Sequence, residues 1–173
     1  MTETGSGVVY NGVALPGVDV AGLDGELIVR SPTLFRSYRT SARPHVVGPD
    51  GLDGWFPTGD AGQVLDGRVS VRGRIGYVIN TGGEKVWPED VEAVILALDH
   101  VNDVAVTGVL DPEWGERLIA LIVGDGTNID DDVRSTTKEH IGPWAQPKEI
   151  RYVVAIPRTD NGKIRRSELK NLF

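Results

Sequence analysis

The sequence is 173 residues long, room for one ordinary domain or two small ones, and its 40% apolar and 25% charged residues are globular proportions. A net charge of −7 argues against a nucleic-acid backbone as partner, because that affinity comes from many cations set against phosphates. Cysteine is absent, which excludes disulfides and thiolate metal sites, and no apolar run approaches the roughly 18 residues of a membrane span.

At the start, Met1-Thr2-Glu3-Thr4-Gly5-Ser6 has neither a basic head nor an apolar core. No secretory signal is expected there, and a cytoplasmic location fits. The next stretch reads as short strands and turns: Gly7 to Tyr10 as a strand, Gly12 to Gly17 as a turn-rich link, and Gly25 to Arg30 as the clearest strand, ended by Ser31-Pro32. Residues 36–51, broken by Pro44, Gly48 and Pro49, read as a surface loop. Val64-Leu65, Asp66-Gly67 and Arg68 to Arg72 give a hairpin, since Asp-Gly suits a two-residue turn. No helix-period stripe occurs in this half, and a half made of hairpins is not expected to be a complete domain by itself.

After Gly73 the pattern changes. Pro88 to Leu98 opens on proline and acidic residues and spaces Val91, Val94, Ile95 and Leu98 as one helix face. Val101 to Leu110 and Arg117 to Val123 read as strands linked by Asp111 to Gly115. Asp130 to Ile141 reads as a helix capped by Asp130 and stopped by Gly142-Pro143, Glu149 to Ile156 as a strand, and Ser167 as the cap of a short last helix to Leu172. This alternation predicts a small α/β domain, with the boundary between Arg72 and Gly76.

Several residues carry chemistry. Asp60, in Trp55-Phe56-Pro57-Thr58-Gly59-Asp60, either caps its own turn or accepts the two hydroxyls of a ribose, with Trp55-Phe56 anchoring that turn. Thr2 and Glu3 are either plain terminal chain or a hydroxyl for a phosphate oxygen and a carboxylate for Mg²⁺, which takes hard oxygen ligands. Arg74 suits phosphate or carboxylate, and Arg72 shares its side of the chain if that segment is extended. Gly82-Gly83 lets a backbone approach a ligand closely or makes a plain hairpin. Lys163 follows the tight turn Asp160-Asn161-Gly162, so it is either a solvated lysine or a point charge aimed at a carboxylate or phosphate oxygen. From Lys163 onward four cations (Lys163, Arg165, Arg166, Lys170) stand against the one carboxylate of Glu168, a patch suited to a small anion. His45, His100 and His140 share no metal-site spacing, and the four tryptophans read as packing residues.

In this order the stretches resemble the adenylate-forming superfamily of acyl-CoA synthetases, luciferases and nonribosomal-peptide adenylation domains. Met1-Thr2-Glu3 is similar to the end of its aromatic-glycine-x-threonine-glutamate motif, Thr58-Gly59-Asp60 to its ribose-binding motif, and Gly73-Arg74 to its hinge motif. Gly82-Gly83-Glu84-Lys85-Val86 with Pro88 and Val91-Glu92 is similar to the block after the hinge. Pro147-Lys148 and Pro157-x-Thr159-x-x-Gly162-Lys163-x-x-Arg166 are similar to the final motif. The resemblance implies an α+β fold. Residues 74–173 would form the small mobile lid, and residues 1–73 the strand-rich carboxy-terminal remnant of the large domain.

It further implies ATP, CoA and Mg²⁺ as cofactors and a carboxylic acid as substrate. Lys163 would be catalytic for adenylation, Thr2 would bind AMP phosphate, Asp60 and Arg74 would bind the nucleotide, and Glu3 would hold the metal. Gly82, Gly83, Glu84 and Lys85 would lie near CoA in the thioester-forming state. Gly76 departs from the aspartate or lysine that usually forms the hinge pivot, which frees rotation but removes a side chain that fixes each state. The superfamily's phosphate loop and acyl pocket are not in the sequence. The chain alone is therefore expected to be inactive, its partner being a missing amino-terminal large domain, with self-association left open. Val8 to Val18 is similar to the actinobacterial form of the o-succinylbenzoate–CoA ligases of menaquinone synthesis, as are the compact 36–52 loop and the short tail. The alternatives are a generic fatty or aromatic acyl-CoA ligase and a non-catalytic fragment that binds CoA or a partner.

Overall fold

The computed structural model describes residues 1–36, 54–124 and 129–172, and the chain divides into two compact units, Met1–Gly76 and Tyr77–Phe173. The surface loop expected at residues 36–51 lies, beyond Arg36, outside the described residues.

The first unit opens on a 3₁₀ turn at Thr2–Thr4. Thr4, 4% exposed, locks that turn by donating its Oγ1 to the carbonyls of Met1 and Ser6. Strands β1 (Val9–Tyr10) and β2 (Val13–Ala14) then form a hairpin of their own through Asn11-Gly12. The turn-rich link expected from Gly12 therefore contains a strand. Four antiparallel strands follow in the spatial order of the chain: β3 (Asp19–Leu23), β4 (Glu26–Arg30), β5 (Phe56–Leu65) and β6 (Arg68–Arg74). Asp24-Gly25 and Asp66-Gly67 join neighbours with positive φ at both residues, the geometry whose twist matches paired strands. The small core is Leu27, Ile28, Val29, Phe56 and Ala61, with the Phe35 ring edge-on to Phe56 at 5.3 Å.

The second unit is built around one central strand. Strands β7 (Ile79–Thr81) and β8 (Glu84–Val86) form a hairpin, helix α1 (Pro88–Leu96) follows, and β9 (Val101–Asp111) turns back into β10 (Gly115–Gly124). After helix α2 (Asp130–His140) come β11 (Glu149–Tyr152) and the short helix α3 (Arg166–Leu169). β10 pairs with β9 along its whole length; β11 lies parallel to its far half, and β7 touches its start at Gly115. Strand alternation sends Val104, Val106, Leu118, Ala120 and Ile122 to the face covered by Val91 and Ile95 of α1 and Val133 of α2. Ala105 and Leu121 point to the other face, which Ile156 and Leu169 cover. Both faces of β10 are thus buried, which is why Leu118 to Ile122 reads as an unbroken apolar run.

Three end effects differ from the sequence reading. Asp130 does not cap α2: Ile129 is the cap residue, and Asp130 instead accepts the hydroxyl of Tyr152 at 2.9 Å. Ser167 lies inside α3, which begins at Arg166 because that side chain is held by α1. β11 stops at Tyr152 rather than at Ile156, since Val153 pairs once more with Ile122 and then leaves the ladder. Among the described residues no helix is long and apolar enough to cross a membrane.

Candidate active-site residues

Asp60 sits within β5, not on a free turn as Thr-Gly-Asp alone suggests. Its neighbours explain why. Thr58 Oγ1 donates to the Leu27 carbonyl at 2.6 Å and accepts the Asp60 amide at 3.1 Å, so the hydroxyl replaces part of the ladder. Gly59 has φ +75° and gives its amide to Glu26 Oε1 at 2.7 Å. Asp60 then falls opposite Arg74 in the β5–β6 register, with its Oδ1 3.2 Å from Arg74 Nη1, and the same nitrogen donates to the Thr58 carbonyl at 2.6 Å. Glycine suits this φ, and a Cβ on residue 59 would lie 3.1 Å from that nitrogen, close enough to push the Arg74 guanidinium by a few tenths of an ångström.

The partner of β5 jumps from Gly73 to Val71, so Arg72 is the extra residue of a bulge in the ladder. The simple alternation that would put Arg72 beside Arg74 is broken there. Of the expected anchor pair, Phe56 is buried at the head of β5, while Trp55 lies half-buried under the Arg30 guanidinium, 4.8 Å from its ring centre.

Thr2 is exposed and Glu3 half-buried. The Glu3 carbonyl accepts the Phe35 amide at 2.7 Å, and Phe35 stacks edge-on against Phe56, so the 3₁₀ turn is tied to the start of the strand that carries Asp60. Among the described residues no group of three or more His, Asp or Glu side chains gathers as a metal cage. A single carboxylate such as that of Glu3 would serve Mg²⁺ only in the manner in which waters and substrate phosphates supply the other ligands.

In the second unit Gly82 and Gly83, with φ +58° and +86°, are the two-residue turn of the β7–β8 hairpin, and Glu84 and Lys85 are exposed beyond it. The Gly82 amide donates to the Trp114 carbonyl at 2.9 Å, and a Cβ there would stand 3.0 Å from the Trp114 ring. Lys148 lies over that ring at 4.2 Å. Trp114 and Lys148 thus support the hairpin tip, a contact between distant segments that turn chemistry at Gly-Gly does not reveal.

Lys163 follows Gly162, which has φ +77° and donates to the Thr159 carbonyl at 2.8 Å. Its backbone closes the loop twice, its carbonyl accepting the Thr159 amide and its amide donating to Thr159 Oγ1. The side chain is exposed and makes no hydrogen bond or ion pair among the described residues. The neighbouring cations are not free in the same way. Arg165 pairs with Glu168, and Arg166, with only 10% of its side chain exposed, pairs with Glu92 and Glu89 of α1. Burial lowers the pKa of Arg166, but hydrogen bonds and charge from Glu92 and Glu89 outweigh it, and the group is held above its ordinary value. The tail is therefore less of a free cationic patch than its local composition suggests.

Residues 90–163 match the family of AMP-binding enzyme C-terminal domains, and Lys163 closes the match. The chain belongs to the adenylate-forming superfamily, as its carboxy-terminal part. It is 35% identical over 180 aligned positions to a probable 2-succinylbenzoate–CoA ligase of Mycobacterium tuberculosis, covering 100% of this chain and 46% of that one. It is 37% identical over 154 positions to the mitochondrial malonate–CoA ligase ACSF3 of Mus musculus, covering 87% of this chain and 26% of the relative. Among solved structures, the o-succinylbenzoate CoA synthetase MenE of Bacillus subtilis, in complex with its acyl-adenylate intermediate, superposes with a TM-score of 0.83 at 26% identity. That superposition covers 98% of this chain and 40% of the synthetase. The chain thus spans less than half the length of these relatives.

Proposed function

We propose that the protein to which this chain contributes is an ATP-dependent acid–CoA ligase. A carboxylate oxygen attacks the α-phosphorus of ATP, the bond to the bridging oxygen breaks, and acyl-AMP and pyrophosphate result. The CoA thiol then attacks the acyl carbon, releasing AMP, with the thiol proton passing to solvent. The observation that carries this reading is Lys163: an exposed ammonium, without a hydrogen bond or ion pair among the described residues, on a loop closed at Thr159 and Gly162, at the end of the segment matched by the family of AMP-binding enzyme C-terminal domains. A fixed cation of that kind stabilises negative charge as it develops on phosphate or carboxylate oxygens.

On this reading Asp60 accepts the ribose hydroxyls, Arg74 holds Asp60 and contacts ribose or phosphate, Thr2 contacts the AMP phosphate, and Glu3 supplies a carboxylate to Mg²⁺. The hairpin tip Gly82-Gly83, with Glu84 and Lys85, serves thioester formation after rotation about Gly76, where no side chain limits the backbone. We assign the unit that follows the Gly76 pivot as the lid and the unit up to it as the end of the large domain, which moves the boundary expected at 73/74 past Arg74, since Arg74 is still paired with Asp60 in the β5–β6 ladder. Action in the cytoplasm belongs to the same reading.

For the substrate, o-succinylbenzoate is favoured over malonate and over fatty acids. The alignment with the 2-succinylbenzoate relative runs over 100% of this chain, against 87% for the malonate relative, and MenE superposes over 98%. A pyrophosphate-release screen of the whole protein over o-succinylbenzoate, malonate and short and long fatty acids, with CoA-thioester analysis, tests both levels. Turnover of o-succinylbenzoate above the others is expected. Preference for a fatty acid removes the specific substrate, and no pyrophosphate release with any acid removes the ligase reading.

A further inference from the structure

Among the described residues strand β9 has a strand partner on one side only, so the backbone groups of Val104 and Val106 that point away from β10 form an edge without a further strand. Side chains cover it. The Val104 amide donates to Asp103 Oδ1 at 2.9 Å, the Val106 amide to Glu92 Oε1 at 2.7 Å, and the Val106 carbonyl accepts Arg166 Nη1 at 2.8 Å. Both carboxylates are held in turn by arginines of the terminal segment. Arg158 reaches Asp103 through Nη2 at 2.7 Å and Nε at 3.3 Å. Arg166 grips Glu92 through Nη1 at 2.7 Å and Nη2 at 3.0 Å, and Glu89 through Nη2 at 3.0 Å.

These two arginines bracket Lys163 in the chain. Between them Arg158 also donates Nη1 to the Gly162 carbonyl at 2.7 Å and bridges Ile164 across the loop, while the Arg165 amide donates to the Pro157 carbonyl at 2.9 Å. Arg166 further lies 5.4 Å above the ring of Tyr77, the first residue of the unit. The loop with Lys163 at its exposed end is therefore fastened at both feet to the β9 edge and the first turns of α1. Ile164 adds one apolar anchor, packed against the Ala105, Leu121, Ile156 and Leu169 cluster, while the tip from Asp160 to Lys163 has none of its own.

We propose that Arg158 and Arg166 are positioning residues, which hold the Lys163 ammonium in place by tying its loop to Asp103 and to Glu92–Glu89. The proposal rests on the adenylation role given above to Lys163. Its geometry follows from guanidinium chemistry: one planar group can grip two carboxylates and a carbonyl, where an ammonium cannot reproduce the parallel bonds.

The test reads the loop and the chemistry separately. Backbone ¹⁵N relaxation on the 173-residue chain should give Gly162 and Lys163 order parameters near about 0.85, falling below about 0.6 in Arg158→Ala and in Arg166→Lys. Amide shifts of β10 should stay in place. The exposed Arg158–Asp103 pair keeps the test open if Arg166→Lys does not fold, and the exchange Arg158→Asp with Asp103→Arg should restore order. In the whole protein the single variants should slow acyl-adenylate formation on the order of 10- to 100-fold, as misplacement by about 1 Å does, and leave thioester formation from supplied acyl-AMP unchanged. Unchanged order at Lys163 in the folded variants overturns the proposal. A loosened loop with undiminished adenylation leaves the positioning in place and refutes the role of Lys163 instead.

Discussion

Asp60 and Arg74 face each other across the β5–β6 ladder, with Oδ1 3.2 Å from Nη1, although fourteen positions of sequence and an Asp-Gly turn separate them. Both side chains are more than a third exposed, at 36% and 55%. Their mutual attraction is therefore screened, and it orients more than it stabilises. Asp60→Asn and Arg74→Ala should each raise the KM for ATP several-fold while changing the stability of the chain by no more than about 1 kcal/mol. Urea unfolding beside ATP-dependent kinetics checks this. A large stability loss with unchanged KM would make the pair structural.

Close packing of β5 on β6 gives a sharper contrast between two glycines. A Cβ at Gly62 would meet the Ser70 carbonyl oxygen at 2.2 Å, while one at Gly22 in β3 meets nothing within 4 Å. Gly62→Ala should cost about 1–3 kcal/mol, the range for overpacking, and Gly22→Ala almost nothing. Denaturation midpoints of the two variants decide the point.

The β7–β8 turn makes a prediction that runs against its own turn chemistry. Asn-Gly is a favoured pair for such a turn, so Gly82→Asn looks harmless on sequence. The Trp114 ring, 3.0 Å from where that Cβ would be, adds a clash to that change, whereas at Gly83 there is open space and the cost comes from its φ of +86° alone. Gly82→Asn should destabilise the chain by about 1–3 kcal/mol and slow thioester formation; Gly83→Asn should do much less. Equal unfolding midpoints for the two would contradict the packing.

How much of this was legible in the sequence depended on range. Val91 and Ile95 announced α1 by their spacing, and Asp66-Gly67 its hairpin, because the forces responsible act within a few residues. Asp60, Arg74 and Lys163 were legible as candidates because their motifs are compact. Local sequence misplaced Asp60 on a turn, since the Thr58 contact to Leu27 and the Gly59 contact to Glu26 that draw it into β5 come from another strand. It left Arg166 in a cationic patch for the same reason: Glu89 and Glu92 lie some seventy residues earlier. Asp130 looked like a cap because nothing nearby reveals Tyr152.

Tyr152 gives a pH prediction. Burial raises its pKa above the ordinary 10.0, the Ile129 amide opposes this, and its bond to Asp130 adds to it. The folded state thus holds the phenolic proton more tightly than the unfolded state. The stabilisation is present below about pH 10 and is lost as pH rises through the folded value. Tyr152→Phe should be less stable near neutrality and lose this alkaline component. An alkaline stability profile identical to that of the parent would contradict the assignment.

The central claim is that Lys163 acts on the adenylation step, and separating the two half-reactions of the whole protein tests it most directly. Lys163→Ala should slow acid-dependent ATP–pyrophosphate exchange on the order of 10² to 10³, the loss typical of removing one preorganised charge-stabilising group, while conversion of supplied acyl-AMP to the CoA thioester proceeds at the parental rate. Equal losses in both half-reactions, or none in the first, would contradict it.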